Sequence, residues 1–303
     1  MKHLFIVNPV AGGKDKSGEI RSAAEKLFAG TDDSFEIYLT KAPLDAIEEI
    51  KKRAVTGEEF RVYSCGGDGT FNECACGAAG FSNVSVAPLP TGTGNDFCRM
   101  FGEEADKFRS MEKLVKGKIV PIDLIDCNGR YSANLCSVGF DARVGTNVHK
   151  YSGIPLIGGA TGYVVSLIVE LAKGINTPMR ITVGDRTMTG EYALCCVCNG
   201  RFYGGGFMPS KDAMPNDGDL DIYIARKMNF PKLAASLGKY MKGRSDEIPD
   251  KVIHLHGDSI TIEFKEPQVV NIDGEAVFSK KVEMKLIPGA LNLIVPDDLK
   301  FFD

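Results

Sequence analysis

The residues best suited to chemistry in this sequence form the pentapeptide Gly66-Gly67-Asp68-Gly69-Thr70, which directly follows the apolar run Phe60 to Cys65. A strand that ends at two glycines exposes consecutive backbone N–H groups at a sharp turn. If a helix follows, these N–H groups and the helix N-terminus form an anion site suited to phosphate. Because a carboxylate repels phosphate unless a metal ion or a transferable proton lies between them, Asp68 favours phosphoryl transfer over simple nucleotide binding.

Two further glycine-rich segments follow predicted strands, and they are Asn8 to Gly13 and Thr91 to Asp96. We expect all three segments to meet at the carboxyl ends of parallel strands, where ligands bind in sheets of this kind. None of them is a G-x-x-x-x-G-K-[ST] loop, no G-x-G-x-x-G follows the first strand, and protein-kinase signatures are absent from the sequence. Any single loop can be an ordinary glycine turn, whereas three together favour a phosphate site.

Acidic residues accompany these loops and recur in the second half of the chain. Asp68 and Asp96 each follow a glycine-rich loop, and either can simply cap the helix after it. Asp273-Gly274-Glu275 follows an apolar strand, and its alternative is an ordinary turn with a solvated glutamate. Asn216-Asp217-Gly218-Asp219 is either a turn or a carboxylate with nearby carbonyls, which are ligands that hard cations prefer. The four histidines are isolated in the sequence and are interpreted as incidental.

The first 117 residues alternate between short apolar runs and helix-like stretches. The predicted strands are His3 to Val7, Phe35 to Leu39, Phe60 to Cys65 and Val84 to Ala87, and the predicted helices are Gly18 to Phe28, Pro43 to Ala54, Thr70 to Ala79, Asp96 to Phe101 and Ala105 to Lys116. This alternation predicts a parallel sheet with helices on both faces. Residues 1–120 are therefore predicted to form a three-layer α/β nucleotide-binding domain.

From Val120 onward the pattern changes to closely spaced strands separated by turn residues. Asn128-Gly129 predicts a hairpin with a type I′ turn. The other predicted strands are Arg180 to Val183, Glu191 to Asn199, Leu220 to Ile224, His254 to Phe264, Gln268 to Ile272 and Val282 to Ile287, with helices at Thr161 to Lys173 and Pro231 to Met241. The spacing predicts an antiparallel β-sandwich or barrel over residues 121–290. The last segment, residues 291–303 with its strand from Leu291, can return to the first domain.

Composition limits the class of protein. The apolar fraction of 44% and charged fraction of 25% are typical of a soluble globular chain, and the net charge of −4 argues against a nucleic-acid binder. The nine cysteines are odd in number and fall mostly in apolar runs, which favours buried thiols in a reducing cytosol. The best candidate for a membrane span, Ile154 to Leu171, is interrupted by glycines and proline and contains Glu170, so we expect a helix of a soluble protein. No secretory signal is evident.

The ordered set of motifs resembles the bacterial soluble diacylglycerol kinase family, which belongs to a group of lipid kinases with sphingosine and ceramide kinases. The resemblance runs from about residue 2 to about residue 296, and the motifs that carry it are Asn8-Pro9…Gly12, Gly66-Gly67-Asp68-Gly69-Thr70, Gly92 to Phe97, Asp217-Gly218-x-Leu220-Asp221 and Asp273-Gly274-Glu275. The G-G-D-G motif alone is shared with NAD kinases and phosphofructokinases. One departure from the family pattern is Gly94, where the usual residue is threonine or alanine.

The resemblance implies a role for each matching residue. The implied nucleotide-binding positions are Asn8, Pro9, Val10, Ala11, Gly12, Thr40, Gly66, Gly67, Asp68, Gly69, Thr70, Phe71, Asn72, Thr93 and Asp96, between the two domains. Asp68, Asp96 and Asp123 are implied to hold a catalytic Mg²⁺ directly or through water. Asp217, with the carbonyls of Met214 and Asp219, matches a second, structural Mg²⁺ site. Glu275 matches the proton acceptor, with Asp273 as its partner or as a competing candidate and Asp68 as part of the catalytic set.

These expectations describe an ATP-dependent and Mg²⁺-dependent lipid kinase that converts diacylglycerol, or a related lipid, to phosphatidic acid. Such an enzyme is expected in the cytoplasm with transient contact to the membrane surface. The apolar segment Tyr151 to Ile157 is a candidate for lipid contact, although apolar segments of this kind more often belong to the core of a protein. A homodimer is implied by the resemblance only. One alternative is an NAD kinase relative that acts on a soluble substrate, and another is a nucleotide- or lipid-binding regulator without catalysis.

Overall fold

The computed structural model describes residues 1–92, 94–152, 167 and 169–303, apart from the side chains of 147–152. The described chain divides into two compact units. The first unit comprises Met1–Leu124 and Ile287–Asp303, and the second comprises Ile125–Leu286. Strands β5 (Lys118–Cys127) and β13 (Glu275–Val295) contribute residues to both units. Thr93, most of the predicted helix Thr161 to Lys173 and most of the segment Tyr151 to Ile157 lie outside the described residues.

The first unit is built on a parallel sheet. Its strands are β1 (Lys2–Val7), β2 (Ser34–Leu39), β3 (Phe60–Gly66) and β4 (Val84–Pro90), in the order β4-β3-β1-β2, and the end of β13 pairs with β4. The helices are α1 (Ser17–Phe28), α2 (Asp45–Ala54), α3 (Asp68–Ala78), α4 (Asp96–Arg99) and α5 (Met111–Val115), with short 3-10 segments at Ala11–Gly13 and Gly102–Arg109. The predicted α/β arrangement of parallel strands and intervening helices is confirmed.

Apolar side chains of the central strands fill the core of this unit. Phe5 and Tyr63, on adjacent strands, are fully buried and stack with their ring centroids 4.6 Å apart. Helices α2 and α3 approach closely because Gly77 has no side chain, and a Cβ atom there would lie 3.0 Å from Cβ of Ile50. His3 is also buried, and its Nδ1 lies 2.9 Å from the Tyr63 hydroxyl. Burial lowers the pKa of His3, which is consistent with a structural histidine.

Three boundaries differ from the sequence prediction for physical reasons. Helix α2 begins at Asp45 rather than Pro43, because Leu44 has a left-handed backbone with φ of 70°. Strand β4 continues through Pro88 and Pro90, because β13 pairs with it only at Ser85 and Val86 and an unpaired edge tolerates proline. The helix predicted from Ala105 to Lys116 is a 3-10 segment followed by the short helix α5.

The second unit is an antiparallel β-structure. Its complete strands are β6 (Arg130–Ser132), β7 (Leu135–Gly139), β8 (Thr177–Val183), β9 (Arg186–Cys198), β10 (Leu220–Arg226), β11 (Val252–Gly257) and β12 (Ser259–Ile272). The long strands β9 and β12 each pair with β8 along one half and with β7 along the other. This pairing surrounds an apolar core that includes Ile181, Val197 and Ile262. Sheet pairing of this kind matches the predicted β-sandwich.

Turns and helices of the second unit follow local sequence signals. Asn128 and Gly129 have φ of 51° and 84°, as the predicted type I′ turn requires. The helix predicted from Pro231 to Met241 is present as Phe230–Tyr240, and the Asn229 side chain accepts a hydrogen bond from the Lys232 N–H at its start. A second helix, α6, spans Phe140–Ser152. The predicted strand His254 to Phe264 is instead two strands that turn at Asp258.

The buried charge of Glu170 in this unit is paired. Glu170 is fully buried, and its carboxylate forms ion pairs with Arg143 at 3.0 Å and Lys173 at 2.6 Å. Arg143 also donates to the Thr177 hydroxyl at 2.8 Å. All nine cysteines lie in the described part of the chain, none of them forms a disulfide, and all but Cys76 are buried. Within the described residues, no helix has both the length and the apolar character needed to cross a bilayer.

Asp141, in the first turn of α6, gives a testable pH dependence. Burial raises the pKa of this carboxyl to about 6, although Tyr203 donates a hydrogen bond to it at 3.1 Å. Because the pKa is higher in the folded state than in the unfolded state, the stabilising contribution of Asp141 is complete below about pH 4 and is lost as the pH rises through 6. Asp141→Asn has no such titration. We therefore expect its free energy of unfolding, relative to that of the wild type, to increase by about 2–3 kcal/mol from pH 4 to pH 7. Urea unfolding of both proteins across this range measures the difference, and parallel pH profiles would contradict the assignment.

Candidate active site

The carboxyl ends of the parallel strands of the first unit lie at one edge of its sheet. Val7 pairs with both Leu39 and Cys65, and Gly66 pairs with Pro90, so the strands end at nearly the same level. The segments that leave this edge begin at Asn8, Thr40, Gly67 and Thr91. The convergence that the sequence predicted is therefore present in the structure. Ligands of parallel α/β sheets bind at this edge.

Glycines allow the loops at this edge to touch. A Cβ atom on Gly92 would lie 2.8 Å from Cα of Gly67, which is closer than two carbon atoms can approach. A Cβ atom on Gly12 would lie 2.7 Å from the carbonyl oxygen of Thr91. Two backbone hydrogen bonds hold the contact, because the N–H groups of Thr91 and Gly92 both donate to the carbonyl of Gly66, at 2.8 and 3.0 Å. The three loops thus form one packed surface.

Asn8 ties the first loop to the helix that follows the second. Its side-chain amide donates to the Thr70 hydroxyl at 3.3 Å, and its side-chain oxygen accepts from the Val10 N–H at 3.1 Å. Thr70 occupies the space that a side chain at Gly66 would need, since a Cβ atom there would lie 2.2 Å from the Thr70 hydroxyl oxygen. These contacts explain why asparagine, glycine and threonine occur at these three positions.

The N-terminus of α3 lies at this surface. Gly67 is the N-cap residue, it makes no side-chain capping bond, and Asp68 is the first residue of the helix. The first N–H groups of a helix have no partner within the helix and favour a negatively charged ligand. Capping therefore does not account for Asp68. Nor does it account for Asp96, because Asn95 is the N-cap residue of α4 and has a left-handed backbone with φ of 53°.

Asp68 instead connects two loops. Its carboxylate accepts a hydrogen bond from the Phe97 N–H at 3.0 Å, at the start of α4. A Cβ atom on Gly94 would lie 2.9 Å from the other carboxylate oxygen of Asp68, so the departure from the family pattern at residue 94 leaves room beside this carboxylate. Asp96 is buried and forms an ion pair with Arg99 at 3.3 Å.

Asp123 lies on strand β5 and is buried. Its carboxylate accepts a hydrogen bond from the Gly289 N–H at 2.8 Å. Across the described residues, the carboxylate oxygens of Asp68, Asp96 and Asp123 do not all lie within 4.8 Å of one another. Carboxylate oxygens are suitable ligands for Mg²⁺, which commonly keeps several of its water ligands. A shared ion at these three residues stays a prediction.

Several predicted nucleotide-binding residues are buried or half-buried and make contacts within the protein. Phe71 is buried, and its ring lies 4.3 Å from that of Phe97. Asn72 is buried on α3, where its side-chain oxygen faces the Cys76 thiol at 3.5 Å. Thr40 is half-buried, and its N–H donates to the Val7 carbonyl at 3.0 Å. Among the loop residues, Pro9 and Ala11 are half-buried, while Val10 and Gly12 are exposed. A small cavity opens beside this surface and is lined in part by Gly66, Gly67, Asp68, Asn95 and Phe97.

In the second unit, the carboxylate of Asp273 is held by several donors. It accepts hydrogen bonds from the Ser132 hydroxyl at 2.7 Å and from the N–H groups of Ala133 and Leu135, both at 2.8 Å. The N–H of Asn134 lies 3.3 Å from both of its oxygens. These hydrogen bonds of the Asp273 carboxylate hold its turn against the segment that joins β6 to β7.

Glu275 follows two residues later and is exposed as the first residue of β13. It pairs with Ile272 across a two-residue turn in which Asp273 and Gly274 have φ of 46° and 94°. The Gly274 N–H donates to the Asn271 side chain at 2.8 Å, which further fixes the turn. Of the two carboxylates that the sequence left as candidates for the general base, the structure leaves Glu275 exposed and Asp273 engaged.

The predicted structural cation site lies in the turn before β10. Asp217 is exposed, and its carboxylate accepts a hydrogen bond from the Asp219 N–H at 3.1 Å. Gly218 between them has φ of 77°, which closes the turn. Met214 is half-buried, and its sulfur lies 3.1 Å from the Arg201 guanidinium. The oxygen donors of this turn suit a hard cation, and occupation by Mg²⁺ stays a prediction.

Comparison with known proteins identifies the family. Residues 2–127 match the family model described as the diacylglycerol kinase catalytic domain. Residues 134–295 match the model described as the YegS C-terminal NAD kinase beta sandwich-like domain. The chain belongs to the diacylglycerol kinase family of lipid kinases. The family and the fold class that the sequence predicted, an α/β domain followed by a β-sandwich domain, are thereby confirmed.

Individual relatives agree with this family. A protein of Staphylococcus aureus strain JH9, named "Putative lipid kinase", is 27% identical over 253 residues, which cover 83% of this chain and 82% of the relative. A crystal structure titled as a putative diacylglycerol kinase from Bacillus anthracis strain Sterne is 27% identical, covers 97% of this chain and 96% of its own, and has a TM-score of 0.75. A second Bacillus anthracis structure, at 24% identity and a TM-score of 0.71 over 98% of both chains, supports the fold. Family membership identifies the protein as a kinase and implies the use of ATP.

One group of residues was missed by the sequence interpretation. His254 and His256 were interpreted as incidental, whereas the structure brings both beside Asp219 and Asp221. His254 and His256 are therefore not isolated, because the pairing of β10 with β11 brings them together with the two aspartates. Residues two apart on a strand lie on the same face, so the His-x-His spacing on β11 was the available signal.

The contact between Gly67 and Gly92 gives a test of loop packing. We expect Gly92→Ala to lower the free energy of unfolding by about 1–3 kcal/mol, because the added methyl group meets backbone atoms that cannot rotate away. Gly18→Ala is the matched control, since a Cβ atom at this position in α1 has no neighbour within 4 Å. Alanine there should raise the free energy of unfolding by about 0.5–1 kcal/mol. Denaturant unfolding measures both, and equal stabilities would contradict the contact.

Proposed function

We propose that this protein transfers the γ-phosphate of ATP to the free hydroxyl of diacylglycerol, or of a closely related lipid, to give phosphatidic acid. The observation that carries the proposal is the convergence of three glycine-rich loops and the N-terminus of α3 at one sheet edge, in a chain that matches the diacylglycerol kinase catalytic domain. The names of relatives from Staphylococcus aureus and Bacillus anthracis support a lipid substrate.

The loops of the first unit would bind the nucleotide through its phosphates. Backbone N–H groups at Gly67 to Thr70 and the positive end of the α3 dipole offset phosphate charge. Asn8 and Thr70 keep the loops in register by their side-chain hydrogen bond of 3.3 Å. Because the loops are packed against one another before a ligand arrives, little conformational entropy is lost on binding. Such preorganisation suits phosphoryl transfer, in which positioning and charge stabilisation do most of the catalysis.

Asp68, Asp96 and Asp123 are the residues that would hold a catalytic Mg²⁺, directly or through water. Bound Mg²⁺ would neutralise charge that develops on the transferred phosphate. Within the chain itself, the hydrogen bond from the Phe97 N–H to Asp68 fixes one carboxylate oxygen. The other oxygen lies beside Gly94, where no side chain interferes. Asp68 is therefore held by its position in α3 and by its hydrogen bond to α4. Its proposed role is to hold Mg²⁺ rather than to accept the proton.

Glu275 is proposed as the general base. The lipid hydroxyl oxygen forms a bond to the γ-phosphorus while the bond from that phosphorus to the β–γ bridging oxygen breaks, and ADP leaves with the electron pair. The hydroxyl proton passes to the Glu275 carboxylate. Asp273 would act as a positioning residue, because its bonds to Ser132, Ala133 and Leu135 fix the turn from which Glu275 extends.

We further propose transient contact with the lipid surface, which vesicle sedimentation tests, and a homodimer, which light scattering tests.

A substrate panel tests the reaction. The protein is incubated with ATP, Mg²⁺ and mixed micelles that contain diacylglycerol, ceramide, sphingosine or phosphatidylglycerol, and NAD serves as a soluble substrate. We expect phosphate transfer to diacylglycerol at the highest rate and none to NAD. Transfer to NAD alone would identify a soluble-substrate kinase and contradict the lipid assignment. Absence of transfer to every acceptor, with ATP still bound, would contradict the proposed reaction and favour a non-catalytic nucleotide-binding regulator.

Glu275→Gln tests the general base. Glutamine keeps the size of the side chain and cannot accept the proton, so kcat should fall by about 10²–10⁴-fold with little change in the dissociation constant of ATP. Glu283→Gln is the control, because Glu283 is also an exposed glutamate on β13. Asp273→Asn should instead lower the melting temperature, because an amide nitrogen replaces an oxygen that accepts backbone N–H groups. A Glu275→Gln variant with full kcat would exclude this residue as the base.

A further inference from the structure

Two adjacent antiparallel strands of the second unit carry a group of four charged or titratable side chains. We call Asp219, Asp221, His254 and His256 the histidine–aspartate cluster. Asp219 immediately precedes β10, Asp221 lies on it, and both histidines lie on β11. Asp221 pairs directly with His256, and Tyr223 pairs with His254. Since residues two apart on a strand share a face, all four side chains of the cluster lie on one face of this strand pair.

Short contacts connect the whole cluster. Nε2 of His254 lies 2.6 Å from Oδ1 of Asp221, and Nδ1 of His256 lies 2.7 Å from Oδ2 of Asp219. Nδ1 of His256 is also 3.9 Å from Oδ1 of Asp221. One ligand atom from each of Asp221, His254 and His256 lies within 4.8 Å of the other two. The potential ligand atoms of these three residues thus face a common point.

These separations are close to those around a tetrahedral metal ion. With Zn–N and Zn–O distances near 2.0–2.1 Å, neighbouring ligand atoms lie about 3.3 Å apart. The contacts of 2.6, 2.7 and 3.9 Å in the cluster lie on both sides of that value. Coordination would replace these hydrogen bonds by adjustment of side chains that are already adjacent.

The surroundings of the cluster favour ligation of an ion. Asp221 is buried, whereas the side chains of His254 and His256 are 36% and 58% exposed, so an ion can enter from solvent and still meet a shielded carboxylate. The Tyr223 ring stacks on His254 at 4.3 Å between centroids and 10° between planes, which limits rotation of the imidazole. The two histidine rings lie 4.5 Å apart. One ligand is therefore fixed before an ion binds.

We propose that the histidine–aspartate cluster binds a divalent transition-metal ion, with Zn²⁺ as the best fit. Two imidazole nitrogens and the Asp221 carboxylate form the three-residue donor set, and the Asp219 carboxylate or a water molecule would complete four-coordination. Imidazole ligands suit Zn²⁺, Co²⁺, Ni²⁺ and Cu²⁺, whereas Mg²⁺ requires oxygen donors and octahedral geometry. The bound ion links β10 to β11 and stabilises this edge of the second unit. The proposal does not rest on the proposed phosphate transfer. The predicted Mg²⁺ site at Asp217 lies next to the cluster and would use the Asp219 carbonyl, whereas the cluster contains the Asp219 carboxylate.

Metal titration of tag-free, metal-stripped protein tests the proposal. We expect one equivalent of Co²⁺ to give the intense visible absorption of a tetrahedral site, and Zn²⁺ to displace it while Mg²⁺ does not. Zn²⁺ should also raise the melting temperature, since it binds the folded state selectively. X-ray absorption of the Zn²⁺-loaded wild type should show two imidazole ligands. Displacement of Co²⁺ by Mg²⁺ at similar concentration, or a zinc spectrum without imidazole scattering, would overturn the proposal.

Variants locate the ion. His254→Gln and His256→Gln should each weaken Zn²⁺ binding by about 100-fold or more, because loss of an outer partner alone costs about 10–100-fold. Asp258→Asn is the matched control, because Asp258 is an exposed aspartate that directly follows β11 and accepts a hydrogen bond from the Ser259 hydroxyl, and its Zn²⁺ affinity should equal that of the wild type. Circular dichroism checks that each variant folds. Unchanged Zn²⁺ affinity in the double histidine variant would show that the histidine–aspartate cluster binds no metal and is only a pair of histidine–carboxylate hydrogen bonds.

Discussion

The contact between the backbones of Gly67 and Gly92 is the constraint on which the candidate nucleotide site depends. With the two loops this close, the Gly66 carbonyl accepts hydrogen bonds from both Thr91 and Gly92, and Asp68 reaches the Phe97 N–H at the start of α4. A side chain at Gly92 would separate these elements and release the Asp68 carboxylate from its fixed orientation. The glycines therefore have a second effect besides leaving room for phosphate, because they allow the loops to approach closely and to hydrogen-bond to one another.

The two carboxylates at the turn that carries Glu275 differ in their contacts. Asp273 has positive φ, a backbone conformation that costs energy in a residue other than glycine. Its carboxylate offsets that cost by accepting hydrogen bonds from the Ser132 hydroxyl and from the backbone of Ala133 and Leu135. One acid thus holds the turn while its neighbour remains exposed. Two carboxylates that are equivalent by sequence spacing are thus distinguished by the contacts that the fold gives them.

Much of the fold could be predicted from the sequence, because local signals agree with the tertiary structure. The apolar runs, the Asn128-Gly129 turn and the glycine-rich loops all lie where periodicity and turn chemistry place them. The remaining differences need tertiary information. Only the limited pairing of β13 with β4 explains why Pro88 and Pro90 lie in a strand. Likewise, the burial of Phe71 follows from its packing on Phe97, which no local pattern reveals.

The histidine–aspartate cluster illustrates the same limit at a site. Asp219 and His256 are 37 residues apart in the chain, and only the antiparallel register of β10 and β11 brings them within 2.7 Å. A shift of that register by one residue would place the histidines and the aspartates on opposite faces of the strand pair. Motifs within one segment, such as Gly66 to Thr70, can be recognised before the fold is known. Sites assembled across strands become visible only when pairing is known, and their chemistry then follows from the donor atoms that the pairing brings together.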